Sequence, residues 1–482
     1  MATAVDRKGE NVIPKVVAML KELTHRGADA HGVATPNSVK IAKSIEELSV
    51  EDSYSSVALG YNLSQVVLKD HPQPILDDDF ALVFEGRLFP FPEMSEVDHV
   101  VKRLRGDLRK KARSIIEELD GSYTFAIAQA KNVIVGRDNL GASPLYYGGN
   151  RTTFAVASEQ KALWALGIKN VKSFPPGNLA VISAQGFAFQ PIKTAVQPPI
   201  ESMKMETAAT HLQKLLLESV RERVSDVEKL AVAFSGGLDS SVIAALAKAC
   251  EADVHLVSVG LKDHPEIRHV KAAAETLKLP LHLQTYTIDD VEHVLAKVLW
   301  LIEEPDALKV SIAIPFYWTA EVASKLGYRV LLAGQGGDEL FGGYLRYLRV
   351  YAHSGATAVQ EALHRDLFQS YEMNLQRDNQ ACSFHQVELR LPFLDREVVR
   401  FSLSLPLRFK IESMEDRLRK RVLRRAAQNF GIPFFIANKP KKAVQYTTGV
   451  DKALRRLAKG EGLSLKEYAK KVFREVYPDV SE

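Results

Sequence analysis

Near residue 230 the sequence makes a transition that few folds accommodate. A short apolar run, LAVAF (230–234), passes through Ser235-Gly236-Gly237 into a helical stretch from Ser240 to Cys250. An apolar run of this length bounded by glycine predicts a strand covered on both faces, and the glycines let the backbone turn sharply into a helix. The same alternation continues on either side. Helical spacing of Ala209, Leu212, Leu216 and Val220 begins at Glu206; HLVSVGL (255–261) and YRVLLAG (328–334) are strand-like, and a helix is expected near 267–278. Strands alternating with helices predict a parallel, doubly wound sheet, which binds ligands beyond the carboxyl ends of its strands.

The first 190 residues have a different grain. FALVFEG (80–86), YTFAIAQA (123–130), NVIVGRD (132–138) and TFAVASE (153–159) are short apolar segments separated by turn-formers, as layered antiparallel sheets require, with one helix expected over 13–24. FQPIKTAVQPPIES (189–202) fits neither periodicity and reads as a linker. The expected division is therefore a front domain over 1–190, a linker over 191–205 and a back domain over 206–482, in keeping with a chain of 482 residues.

Composition narrows the function classes. The two cysteines, Cys250 and Cys382, have no metal or disulfide-framework spacing, so a reducing compartment is expected. No segment has the length of a membrane span, and the N-terminal residues lack a secretory apolar stretch; the expected location is the cytoplasm. A net charge of +4 is too small to imply nucleic acid. The basic clusters from Arg417 onward, RLRKRVLRRAAQ, KPKK and RRLAK, are read as solvated helix faces, with phosphate binding as the alternative.

Three segments carry the functional signal. In Phe234-Ser235-Gly236-Gly237-Leu238-Asp239-Ser240, glycines and small hydroxyl residues open a helix whose free N–H groups favour an anion. No Lys follows the second Gly, so this is not the kinase-type phosphate loop; the string resembles that of the pyrophosphatase-loop ligases, which split ATP between its α and β phosphates. The second, Ala333-Gly334-Gln335-Gly336-Gly337-Asp338-Glu339, follows another strand, and Asp338 could hold Mg²⁺ opposite Asp239. The third is Val387-Glu388-Leu389-Arg390-Leu391-Pro392-Phe393-Leu394-Asp395. With these three in this order, residues 206 to about 450 resemble the asparagine synthetases. The resemblance implies a reaction in which a carboxylate, aspartate foremost, attacks the ATP α-phosphate, pyrophosphate leaves with magnesium, and an amine displaces AMP from the acyl-adenylate. It places Phe234, Ser235, Gly236, Gly237, Leu238, Asp239, Ser240, Val259, Ala333 and Gly334 around the nucleotide. It also makes Lys441 the partner of departing pyrophosphate, with Lys442 as a rival, and it gives Gln335 and Asp338 catalytic positions.

The front residues are similar to the glutaminase half of these enzymes, a layered αββα N-terminal-nucleophile hydrolase. The likeness rests on His25-Arg26-Gly27-Ala28-Asp29, on Arg137-Asp138-Asn139-Leu140-Gly141, on SEQKAL (158–163) and on FPPG (174–177). The whole chain thus reads as α/β, with this domain followed by an adenine-nucleotide α-hydrolase-like synthetase domain. The nucleophile is missing. The resemblance requires a cysteine after the initiator Met, where this chain has Ala2, and an NGE string where it has Glu85-Gly86-Arg87. A carboxylate at 85 is expected to oppose an oxyanion, and Thr3 is a nucleophile only after trimming. Gln335 stands where well-known asparagine synthetases have Glu and β-lactam synthetases Tyr, and Ser311 where many have Arg. The expected partners are a small carboxylate and ammonia or another amine, with neither nucleic acid nor membrane; a homodimer or a separate ammonia supplier is compatible with the sequence. A β-lactam-synthetase-like ligase for a specialised acid is the alternative, and a non-catalytic nucleotide-binding protein a further one.

Overall fold

A computed structural model describes residues 1–48, 54–193 and 196–480. The described residues form two compact units, one of 1–193 with 383–386, the other of 196–382 with 387–480. Of the expected linker over 191–205, residues 194 and 195 lie outside the described residues, and the helix Met205–Val224 begins at its end. Among the described residues no helix is long and apolar enough to cross a membrane.

In the first unit the described residues form one seven-stranded and one six-stranded sheet. Period-two alternation decides what each strand faces. In Ala2–Asp6, Val5 points with Val57 and Leu59 toward Val83, Ala126, Val133 and Val135 of the other sheet, making the central core. Ala4, Ala58 and Ala155 point the opposite way, where their small side chains admit Val16, Met19 and Leu20 of the helix Ile13–Glu22. Across the unit, Leu82, Phe84, Phe125 and Ile127 pack under the helices Glu96–Leu104 and Leu108–Glu118. The result is helix, sheet, sheet, helix. The strands at 80–88, 121–129, 132–137 and 153–157 coincide with the four apolar segments.

The second unit is built on a five-stranded sheet among the described residues, in the order 281–286, 253–261, 229–233, 330–332, 388–390, with every pair parallel. Leu230, Ala231 and Val232 are fully buried, which accounts for an apolar run with no polar alternation. The strand Lys229–Ala233 is central: it pairs with 253–261 on one side and, through Ala231↔Leu331 and Val232↔Leu332, with 330–332 on the other. The chain reverses its direction of progress across the sheet between those neighbours, so the loops after both strands emerge together.

Three details differ from the sequence reading. The helix expected from Ser240 starts at Leu238, with Gly237 as its cap. Residues 388–390, read from the sequence as part of a family motif, are a sheet strand whose Arg390 side chain is 1% exposed, gripping Asp226 with Nη1 at 2.5 Å and Nη2 at 2.9 Å. Asp395 likewise caps the helix Arg396–Ser404 through Glu397 N at 2.9 Å. Finally, the basic cluster at 417–425 is not simply a solvated face: Arg419, Lys420 and Arg424 are buried.

Candidate active site

The two loops meet at close quarters. Gly334 lies against Asp239, where a Cβ would come 2.8 Å from that residue's own Cβ, and one on Gly337 would come 3.2 Å from the Asp239 carboxyl carbon. Gly236 has φ +67°, a conformation glycine adopts freely, and its carbonyl accepts from His269 Nε2 at 2.7 Å. No side chain caps the helix Leu238–Ala249, so its first N–H groups remain available to an anion. Ser235 Oγ and Ser240 Oγ are 3.2 Å apart and brace the loop from within.

Asp239 and Asp338 are joined by cations. Lys420 Nζ lies 2.8 and 2.7 Å from the two oxygens of Asp239 and 2.5 Å from Asp338 Oδ1. Lys441 Nζ lies 2.6 Å from Asp338 Oδ2 and 3.9 Å from Asp239 Oδ2. Burial alone would raise the Asp338 carboxyl's pKa; the two ammonium groups outweigh it and hold the group well below the usual carboxylate range. The same carboxylates push Lys441 upward against its own burial. Lys420 had no signal in the sequence beyond its basic neighbours. Its left-handed backbone, φ 52°, turns its side chain inward at the helix start. Lys442, one residue past Lys441, instead pairs with Glu266 at 2.8 Å and is 59% exposed.

These groups line an open cavity of about 180 Å³. Phe234, Ser235, Asp239, Ser240, Val259, Ala333, Gly334, Gln335, Asp338 and Lys441 form part of its wall, whereas Gly236, Gly237 and Leu238 do not. Thr319, Tyr344, Asn374 and Arg377, not singled out from sequence, add polar groups to it. Behind Asp338, Glu339 is buried and accepts from Tyr344 Oη at 2.6 Å and Asn374 Nδ2 at 2.9 Å; burial, then the Asp338 charge, raises its pKa. Ser311 is buried, with its hydroxyl on the Leu308 carbonyl at 2.8 Å, and is not a wall residue. Asp239 and Asp338 are hard oxygen ligands of the kind magnesium takes. Among the described residues no cluster of three or more metal-ligating side chains is present.

The front unit holds a second polar cluster. The α-ammonium of Met1 donates to Glu85 Oε2 and Ser158 Oγ, each at 2.9 Å, and Arg26 Nη2 donates to Glu85 Oε1 at 2.8 Å. Glu159 accepts from Arg26 at 3.0 Å, lies 2.9 Å from His25 Nε2 and contacts Lys161. Burial would raise the Glu85 carboxyl, but the facing cations bring it down to about 2. The Glu85 carboxylate is thus paired with the Met1 ammonium and Arg26. Ala2 is fully buried, and the Thr3 hydroxyl donates to the Ala58 carbonyl at 2.9 Å. Arg87 is tied to Asp70 at 2.5 and 2.7 Å. The RDNLG string is a knot of backbone bonds: Asp138 Oδ1 accepts from Leu140 N and Gly141 N at 2.9 and 2.7 Å, and Arg137 donates to three carbonyls.

Comparison with known proteins agrees with both halves. Residues 211–354 and 349–475 match the asparagine synthase family, and residues 1–175 match the glutamine amidotransferase domain. A Methanocaldococcus jannaschii protein named "Putative asparagine synthetase (glutamine-hydrolyzing) 1" is 32% identical over 508 residues, covering 93% of each chain. The chain belongs to the asparagine synthetase family. Asparagine synthetase (glutamine-hydrolyzing) of Sandersonia aurantiaca is 27% identical over 90% of this chain and 83% of its own, and asparagine synthetase B (glutamine-hydrolyzing) of Escherichia coli 25% over 90% and 79%. Membership makes this chain an enzyme of the carbon–nitrogen ligase kind, with a glutamine-amidotransferase-like front.

Proposed function

We propose that the protein is an ATP-dependent, AMP-forming amide ligase that activates a small carboxylate, aspartate foremost, as its acyl-adenylate and passes the acyl group to ammonia or another amine, without hydrolysing glutamine. In this reading residues 206–482 perform the ligation and residues 1–190 are a glutaminase fold that has lost its chemistry. The observation that carries the proposal is the pairing of Asp239 and Asp338 with Lys420 and Lys441 beside uncapped helix N–H groups, at the switch point of a parallel sheet.

The roles follow from exposure and charge. The free N–H groups of the helix Leu238–Ala249 would hold phosphate oxygens, and apolar Phe234 and Val259 would flank the adenosine. Asp239 and Asp338 would hold magnesium, which when bound supplies positive charge to the polyphosphate. Lys420, with a side chain 2% exposed, is fixed between the aspartates. Lys441 is 29% exposed, so its ammonium can turn from Asp338 toward the leaving pyrophosphate, where preorganised charge lowers the barrier.

Loss of glutamine hydrolysis is supported by Ala2 and by the absence of any cysteine before Cys250. The test is ATP–pyrophosphate exchange over a panel of carboxylates. Exchange with aspartate is expected; exchange with a different acid alone would redirect the substrate to a specialised, β-lactam-synthetase-like one, and none with any acid would favour a nucleotide-binding protein without turnover.

A further inference from the structure

The stretch 439–443, which carries Lys441 into the cavity, belongs to no helix or strand, so no regular backbone ladder fixes it. It is pinned instead on both sides of Lys441 by a single carboxylate. Glu266 Oε2 accepts from Lys439 Nζ at 2.6 Å, and Oε1 accepts from Lys442 Nζ at 2.8 Å. Glu266 and Lys439 are both half-buried, which shields the first pair from water. Burial would raise the Glu266 carboxyl, but the hydrogen bonds and charges of the two lysines bring it down to about 2. Pro440 stands between the pinned residues, and its fixed φ leaves the short span little freedom. Glu266 also opens the helix Glu266–Leu277. One turn on, on the same helix face, His269 donates from Nε2 to the Gly236 carbonyl at 2.7 Å. The same imidazole meets the Phe435 ring, just upstream of the lysines, edge-on at 5.8 Å. The helix therefore grips the lysine stretch through Glu266 and the glycine loop through His269.

We infer that Glu266 is a positioning residue for adenylation: by holding Lys439 and Lys442 at once, it fixes the backbone of Lys441 relative to the glycine loop at 235–237, so that the Lys441 ammonium stands where pyrophosphate departs. The inference rests on the ligase reading above. In that reading Lys441 releases Asp338 when it turns to the pyrophosphate, and its own ion pair then no longer anchors the stretch. Glu266 still does. Its carboxylate is occupied by two ammonium groups, so it serves neither as a base nor as a contact of the reacting atoms. What it controls is the place of Lys441, and a misplacement of about 1 Å is enough to cost about a hundredfold in rate. Either lysine alone leaves the carboxylate one partner in the stretch, whereas losing both frees it.

The experiment is a double-mutant cycle read by pyrophosphate exchange in the full chain, with the acid that supports exchange in wild-type protein. Glu266→Ala is expected to lower the kcat of exchange about tenfold to a hundredfold, while the KM for ATP moves less than about threefold. In a Lys441→Met chain the same substitution is expected to remove less than about a further twofold, because a residue that acts through Lys441 has nothing left to position. Lys439→Met together with Lys442→Met, which frees the stretch and keeps Glu266, is expected to reproduce both results and carries the test if Glu266→Ala fails to fold. Losses of equal size with and without Lys441 would show Glu266 acting on its own and would overturn the inference. So would a rise in the KM for ATP with kcat unchanged, or no change in either. Wild-type protein that fails to exchange pyrophosphate with every carboxylate offered would instead bring down the ligase reading, and this inference with it.

Discussion

Lys441 and Lys442 are adjacent in the chain and opposite in circumstance. Both line the cavity, but Lys441 touches Asp338 while Lys442 is 59% exposed and pairs with Glu266. If Lys441 stabilises pyrophosphate as it departs, Lys441→Met should slow adenylation by about 10²–10³, the usual consequence of removing one preorganised charge, with ATP affinity changing far less. Lys442→Met should stay within about half a kcal/mol, as exposed ion pairs do. Pyrophosphate-exchange rates with ATP titrations check both, and an indispensable Lys442 would shift the assignment by one residue. Lys441 was legible because it follows a recognisable string. Lys420 was not, because its meaning comes from Asp239, 181 residues away, and from a left-handed backbone turn that no sequence pattern announces. Side chains that acquire a role only through a distant partner are the ones a linear reading passes over.

At the scale of elements, the alternation of strands and helices showed where the two active loops begin, and parallel pairing of 229–233 with 330–332 brought them together. Glu388–Arg390 and Asp395 were legible as a motif but not as architecture: the same residues that identify the family fix a sheet strand and start a helix. Short pieces such as 281–286 and 388–390 escaped the periodicity reading because three to six residues give too few repeats of either period. Glycine in GDELFGGY also has a positional reason. A Cβ on Gly343 would stand 1.9 Å from Asp338 Oδ1 and 2.4 Å from Lys420 Cε, and its N–H donates to the Asp338 carbonyl at 2.8 Å. Gly343→Ala must push the carboxylate off its lysine. The expected outcome is a loss of about 1–3 kcal/mol in stability by denaturant titration, the range for overpacking, together with loss of pyrophosphate exchange. Retained exchange would show that Asp338 does not need this position.

Taken as a whole, the molecule keeps a glutaminase-like fold whose polar cluster is occupied by its own charges. Glu85 has a folded pKa of about 2 against an ordinary 4.5. Because the folded value is depressed, its contribution is complete above about pH 4.5 and is lost as pH falls toward about 2. That contribution is up to about 3 kcal/mol. Glu85→Gln should therefore flatten the acid limb of the stability curve over that window, as followed by denaturant midpoints at each pH, and should not create glutaminase activity. The functional counterpart concerns the nitrogen source. In the proposed reading an active front unit would need a thiolate near residue 2; here Ala2 is buried and has no thiol. In the same reading the back unit needs only an amine that reaches its cavity. Ammonium should thus support amide formation and glutamine should not, with the rate rising with pH as more of the ammonium is converted to the nucleophilic free base. The measurement is product formation with glutamine or ammonium at matched concentration, using amide-labelled glutamine to trace the nitrogen. Glutamine-dependent synthesis at a rate comparable to that with ammonium would sink this reading of the front unit while leaving the ligase chemistry of the back unit standing.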